Sequence, residues 1–167
     1  NDFNAKDFFK LPEPLIQKNF SRIMSLKDGL KKMSKSEISD FSRINLTDDK
    51  DVLVNKVKKA KTDTLPIPSN VDELSERPEA KNLLNIYSSL TESTLESSLK
   101  EFSGKNFSAF KERLANVLVE KIYPISVEIK KLLNEKNYLD DILIEGCKKA
   151  RKITSEKVKK IHEIVGF

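Results

Sequence analysis

The stretch FKERLANVLVEKI, Phe110 to Ile122, sets Phe110, Leu114, Val117, Leu118 and Ile122 at i, i+4, i+7, i+8 and i+12. Those intervals place five apolar side chains on one stripe of a 3.6-residue helix and leave the charged residues on the other faces. Pro124 follows, and a proline inside a helix removes a backbone hydrogen bond at a cost of about 3 kcal/mol, so a kink is expected there. The stripe then resumes with Ile125, Ile129, Leu132 and Leu133. A last helix is expected after Asn137, burying Leu139, Ile142, Leu143, Gly146, Ala150, Ile153, Ile161 and Ile164 and stopping at Gly166. Gly146 and Ala150, small and one turn apart, predict a close helix–helix contact there.

Working upstream, EAKNLLNIYSSL reads as a helix. Another is expected to start at Ser93, with Glu96 completing a capping box, and to end at Gly104. TDDKDVLVNKVKKA offers Thr47 or Asp48 as N-cap, acids in the first turn and lysines in the last, where they suit the helix dipole. It gives way to KTDTLPIPSN, where Pro66 and Pro68 enforce an extended linker. Residues 46–167 therefore read as an all-α helical bundle with short connections. Residues 1–45 read as an irregular arm that cannot build its own core; FFKLPEPLI carries two prolines, and Ile23, Met24 and Leu26 in SRIMSL have strand character.

At 167 residues, 38% hydrophobic and 34% charged, the chain has the balance of a folded domain with a strongly solvated surface. No apolar run approaches the roughly 20 residues of a membrane-spanning helix. One cysteine, Cys147, excludes an internal disulfide framework and a cysteine-based metal site, and suits a reducing cytoplasm. One histidine, His162, leaves histidine-dependent nucleophile systems and metal sites almost nothing to work with. The formal net charge of +5 favours an anionic partner, of which nucleic acid is the commonest. The chain starts at Asn1 with neither a methionine nor a basic-then-apolar leader, and so reads as a piece of something longer.

LKKMSKSEI, Leu30 to Ile38, is the chemically distinctive stretch of the arm. Two ammonium groups, Lys32 and Lys35, with the hydroxyls of Ser34 and Ser36 beside them, would suit a polyphosphate and would equally suit water alone. Gly29, and the lack of an apolar anchor between Met33 and Ile38, suggest a segment that moves.

Taken together, SRIMSLKDGLKKMSKS (Ser21 to Ser36), KKAKTDT (Lys58 to Thr64), RPEAKNLLNIYSSL (Arg77 to Leu90) and FKERLANVLVEKIYPI with ILIEGCKKAR downstream are four co-linear features. In that order they resemble the carboxy-terminal half of a class I aminoacyl-tRNA synthetase of the bacterial tryptophanyl type, the first string being similar to the KMSKS signature with its lead-in. The resemblance covers nearly the whole chain. Glu37 and Ile38 stand where many members have Asp-Pro, and Pro78-Glu79 where several have Pro-Gly.

The resemblance implies that residues 1–45 are the tail of a Rossmann-type nucleotide-binding catalytic domain carrying the KMSKS loop, and that residues 46–167 are a helical anticodon-binding domain. It implies ATP as substrate, with Mg²⁺ on its phosphates and no metal held by the protein. It further implies condensation of tryptophan with ATP to an adenylate and transfer to tRNA(Trp). The attacking group is the substrate's own carboxylate, ionised at neutral pH, so no protein base is required. Charge shifts onto the β and γ phosphates, and lysine suits the task as a compact ammonium on a flexible stem. The catalytic assignments are Lys32 and Lys35. The ATP-binding set is Ile23, Lys32, Met33, Ser34, Lys35 and Ser36, with Met33 turned toward adenine and Ile23 packed on the base. The full-length enzyme is expected to be a homodimer in the cytoplasm, or alternatively in an organellar matrix. This fragment, lacking the amino-terminal half, is expected to be inactive and monomeric.

On the last helix Lys148, Arg151, Lys152 and Lys159 fall within about 100° of one another, opposite the apolar stripe, and read as a backbone-binding surface for tRNA to which Lys130 and Lys131 add. The alternatives are a tyrosyl-type class I synthetase, a non-catalytic tRNA-binding helical module, and a helical interaction protein whose lysines only keep it in solution.

Overall fold

The computed structural model describes residues 8–16 and 21–166, and among them the regular structure is helical, with no strand and one isolated antiparallel bridge, Met24 to Lys32. Five α-helices follow one another: α1 (Lys50–Lys59), α2 (Pro78–Leu90), α3 (Leu95–Phe102), α4 (Phe107–Asn134) and α5 (Lys136–Val165), with single 3₁₀ turns at Asp40–Ser42 and Asp72–Leu74. The all-α expectation is met. The chain divides into two compact units, Gln17–Lys130, and Asn1–Ile16 with Lys131–Phe167.

The core of the first unit grows from the predicted periodicities. α1 buries Leu53 and Val57, one turn apart, and ends on Lys58 and Lys59, where ammonium groups favour the carbonyl end. α2 opens with Pro78 in its first turn, one residue earlier than expected, where a proline's missing N–H costs nothing. Leu83, Leu84, Ile86 and Tyr87 on α2 meet Leu99 and Phe102 on α3 and Phe110, Leu114 and Leu118 on α4, all buried. Each such burial stabilises by about 1.5–3 kcal/mol. Aromatic edges organise the centre: ring centroids are 5.1 Å apart for Tyr87 and Phe102, and 4.9 Å for Phe102 and Phe110, near perpendicular in both cases.

The proline linker is sewn to this core. Ile67 N–H donates to the Lys105 carbonyl (2.9 Å) and Gly104 N–H to the Ile67 carbonyl (2.9 Å), with Gly104 at φ +75°, in the left-handed region that glycine adopts without cost. Arg77 clamps the other end: its Nε and Nη2 reach the two carboxylate oxygens of Asp63 at 2.9 and 2.6 Å, and Nη1 donates to the Pro66 carbonyl at 2.9 Å. This fork holds the Asp63 carboxyl below its usual range. Thus the KKAKTDT and RPEA strings, fourteen residues apart at these two positions, meet in space.

Several expectations are corrected. The cap of α3 is Thr94, whose hydroxyl accepts from Ser97 N–H (3.2 Å); Ser93 instead bonds the hydroxyls of Thr91 (2.9 Å) and Ser98 (3.1 Å). Asp49 rather than Thr47 or Asp48 holds the N-cap position of α1, with no hydrogen bond from its side chain to the first turn, and Asp48 is buried and engaged elsewhere. Pro124, where a kink is expected, does not end α4, which spans 28 residues. The last helix begins at Lys136 and buries none of its residues. Ile142, Leu143 and Ile153 are exposed, and among the described residues nothing lies within 4 Å of where a Gly146 side chain would start, so none of them makes the close contact expected at Gly146 and Ala150. In that compact unit, residues 8–16 offer α5 the Phe8 and Phe9 rings, each 5.6 Å from the Lys157 ammonium, and no apolar cover for its stripe.

Candidate functional site

The lysine loop is built on a short antiparallel turn within the first unit. Ser25 N–H donates to the Lys31 carbonyl (2.8 Å) and Met33 N–H to the Ile23 carbonyl (3.0 Å), with a turn over 27–30 that Asp28 holds by accepting from Leu30 N–H (3.0 Å). Leu26, buried, ties this turn to its surroundings: its N–H donates to the Ser42 carbonyl (2.9 Å), and its carbonyl accepts from Lys61 N–H (2.7 Å).

Two contacts from α2 fix the entry. Asn82, buried, accepts from Met24 N–H at 2.9 Å and donates to the carbonyls of Met24 (2.8 Å) and Ser25 (3.3 Å). An amide can serve a main-chain donor and two acceptors at once because it carries both functions. Gly29 packs against the start of the same helix. A Cβ there would stand 2.5 Å from Glu79 N and Pro78 C, so the glycine is required by close approach, and the reading of Gly29 as a source of mobility is corrected. Glu79, which follows Pro78, is used: its carboxylate pairs with Lys61 at 2.7 Å, and that ammonium keeps its pKa below the usual range.

Beyond Met33 the loop rises into solvent. Ser34 to Ile38 are exposed, the hydroxyls of Ser34 and Ser36 are bonded to each other (2.9 Å), and Ser36 N–H also points to Ser34 Oγ (3.3 Å). Ile23, Lys32, Met33, Ser34 and Lys35 line one open cleft of about 540 Å³, while Ser36 lies outside it. Ile23 and Met33 are half-buried and rest on the hydrophobic core with their other sides, so they serve as cleft wall and core together.

The rest of the cleft's lining, missed from the sequence, is Ser21 and Arg22 together with Arg43, Ile44, Asn45, Leu46 and Thr47. Arg43 donates from Nη1 to the Glu37 carbonyl (2.8 Å), from Nη2 to Asp40 (2.9 Å) and from Nε to Asn45 Oδ1 (3.2 Å). Its only sequence signal is a lone cation seven residues beyond Ser36, which no spacing rule singles out. The cleft thus offers four cations, Arg22, Lys32, Lys35 and Arg43, with hydroxyls and an apolar edge, a combination suited to a phosphate ester with a flat apolar part. Among the described residues no three of His, Cys, Asp and Glu come together as a set of metal ligands, so these side chains do not fit a protein-held divalent ion.

The predicted basic face lies on α5. Lys148, Arg151, Lys152 and Lys159 are all exposed on this one helix, Lys148 with Glu145 at 3.0 Å. Lys130 is drawn off to the Asp49 carboxylate at 2.5 Å. No helix among the described residues is long and apolar enough to cross a membrane.

Residues 1–123 match the family described as tRNA synthetases class I (W and Y). The chain is 46% identical over 167 residues to a tryptophan–tRNA ligase of Caulobacter vibrioides, covering all of this chain and 48% of that protein. It is 50% identical over 162 residues to one of Rickettsia conorii, covering 97% of this chain and again 48% of the relative. Among solved structures, a tryptophanyl-tRNA synthetase from Mycoplasma pneumoniae superposes with a TM-score of 0.78 at 26% identity, over 98% of this chain and 49% of the other. Spanning about half the length of the curated relatives it matches, the chain belongs to the class I tRNA synthetases of the tryptophan and tyrosine type.

Proposed function

We propose that this chain is the carboxy-terminal part of a tryptophan–tRNA ligase, an ATP-dependent enzyme that activates tryptophan as its adenylate and transfers it to tRNA(Trp). The supporting observation is the cleft that gathers Ile23, Lys32, Met33, Ser34 and Lys35 beside Arg43, in a chain of this family. Residues 1–45 contribute to the ATP site and residues 46–167 to tRNA binding. The protein works in the cytoplasm, as a homodimer in its full-length form.

Each side chain has a physical role. The ammonium groups of Lys32 and Lys35 neutralise the β and γ phosphates and follow the pyrophosphate as the tryptophan carboxylate attacks the α-phosphorus. Ser34 and Ser36 add neutral donors once their mutual hydrogen bond opens. Ile23 and Met33 present the apolar edge to adenine. A Mg²⁺ ion, when present, rides on the phosphate oxygens and neutralises charge there. Lys148, Arg151, Lys152 and Lys159 contact the phosphate backbone of the anticodon arm, which makes tRNA affinity fall with salt.

Lys35→Ala in the complete gene product tests the loop assignment. Losing one preorganised donor costs about 2.7–4 kcal/mol, or about 100- to 1000-fold in rate. Tryptophan-dependent pyrophosphate exchange should fall by that order with the tryptophan Kd unchanged, and a wild-type exchange rate would refute the role of the loop.

A further inference from the structure

The most deeply buried cation in the first unit is Lys56 of α1, its side chain 1% exposed. A buried ammonium is costly unless paired and hydrogen-bonded. Here Nζ lies 2.6 Å from Asp48 Oδ2 and 2.6 Å from Asp40 Oδ2. The two carboxylates differ. Asp48 is 8% exposed, and its oxygens also accept from the Asn45 backbone N–H (2.9 Å) and side-chain amide (3.2 Å), so it belongs to the interior and by itself neutralises the lysine. Asp40 is half exposed, sits in the 3₁₀ turn that ends the loop, and is not needed to balance a buried charge.

What Asp40 adds is a line to the loop. Its Oδ1 receives Arg43 Nη2 (2.9 Å) and Asn45 Nδ2 (3.0 Å), and Arg43 in turn holds the Glu37 carbonyl at 2.8 Å, two residues after Lys35. Asp40 and Asp48 against Lys56 and Arg43 make a balanced two-by-two set, whose fixed end is in α1 and whose outer end is the exit of the loop.

We propose that Lys56 is a positioning residue that, through Asp40 and Arg43, sets the exit of the lysine loop and with it the reach of Lys35. Lys56 touches no substrate. This inference rests on the ATP-site reading given above. Without the network, the loop would keep its entry, held by Asn82 and Gly29, and its far anchor at the buried Ser42, whose carbonyl accepts from Leu26 N–H, but the Glu37 carbonyl between them would lose its hold from Arg43. A misplacement of about 1 Å at a reacting group can cost about 100-fold in rate.

The experiment compares Asp40→Asn, Asp48→Asn and Lys35→Ala in the complete gene product, by pyrophosphate exchange and by thermal unfolding. Asp40→Asn keeps the side-chain shape, leaves Lys56 with Asp48, and should fold like the wild type while its exchange kcat falls about 10- to 100-fold with the tryptophan KM unchanged. Asp48→Asn should lower the melting temperature more than Asp40→Asn and slow exchange less. If Asp40→Asn exchanges at the wild-type rate while Lys35→Ala is slow, the positioning role is wrong and the ATP-site reading stands. If Asp48→Asn slows exchange at least as much as Asp40→Asn, the network is merely structural. If Lys35→Ala itself exchanges normally, the site reading falls and takes the positioning role with it.

Discussion

The amino-terminal half of α4 and the whole of α5 carry apolar stripes of similar regularity, and only one of them is buried. Phe110, Leu114, Val117 and Leu118 are at most 4% exposed, whereas Ile142, Leu143 and Ile153 are 51, 69 and 77% exposed. Helical period specifies which residues share a face. Burial of that face depends on a second surface, which α2 and α3 supply to α4 and the described residues 8–16 do not supply to α5.

That contrast makes a graded set of stability predictions for the 167-residue chain, measured by chemical denaturation. Phe110→Ala removes the ring that touches Tyr87, Phe102 and Phe107, and should cost about 3–5 kcal/mol. A loss under about 1 kcal/mol would mean the aromatic cluster is not the centre of the core. Ile153→Ala, the matching change on α5, should stay within about 0.5 kcal/mol, and a larger loss would reveal a partner surface for that helix.

An effect of intermediate size is expected at the linker clamp in the packed unit. Arg77 depresses the pKa of Asp63. A carboxyl whose folded value lies below its unfolded one stabilises above the unfolded value of about 3.9 and loses that contribution as pH falls through the folded value. Asp63→Asn should therefore flatten the decline in stability below about pH 4, read from urea midpoints across the acid range. An unchanged acid slope would remove the clamp from the account. The smallest change within the packed unit is Thr94→Ala, which leaves the Ser97 N–H without its cap and should cost about 1 kcal/mol. If Ser93→Ala were the more damaging of the two, the cap would belong to Ser93 after all.

Much of this architecture was legible in the sequence, and the misses have a common cause. Buried residues of α1 to α4 follow the 3.6-residue spacing closely, because they pack against neighbours in the same stretch of chain. Caps were less legible: Ser93 and Asp48 are good cap residues by type, yet Ser98 claims the hydroxyl of one and Lys56 the carboxylate of the other. A cap is a local motif, and a tertiary partner can outbid it. The cleft shows the same division. Lys32 and Lys35 stand out from their motif, whereas Arg43 acquires its place only when Asp40 and the Glu37 carbonyl are brought to it. Gly29 was misread for a similar reason, since the backbone that forbids a side chain there lies some fifty residues further along the chain.

Asn82 grips Met24 and Ser25 entirely through their main chain. Its bonds are therefore blind to which side chains those two positions carry. As far as this contact goes, positions 24 and 25 can change side chain without cost, while at position 82 an aspartate has no amide to donate and an alanine leaves a main-chain N–H and two carbonyls to find other partners. In a saturation library the two sides of this contact would carry very unequal mutational loads, with the burden falling on the helix rather than on the segment it holds.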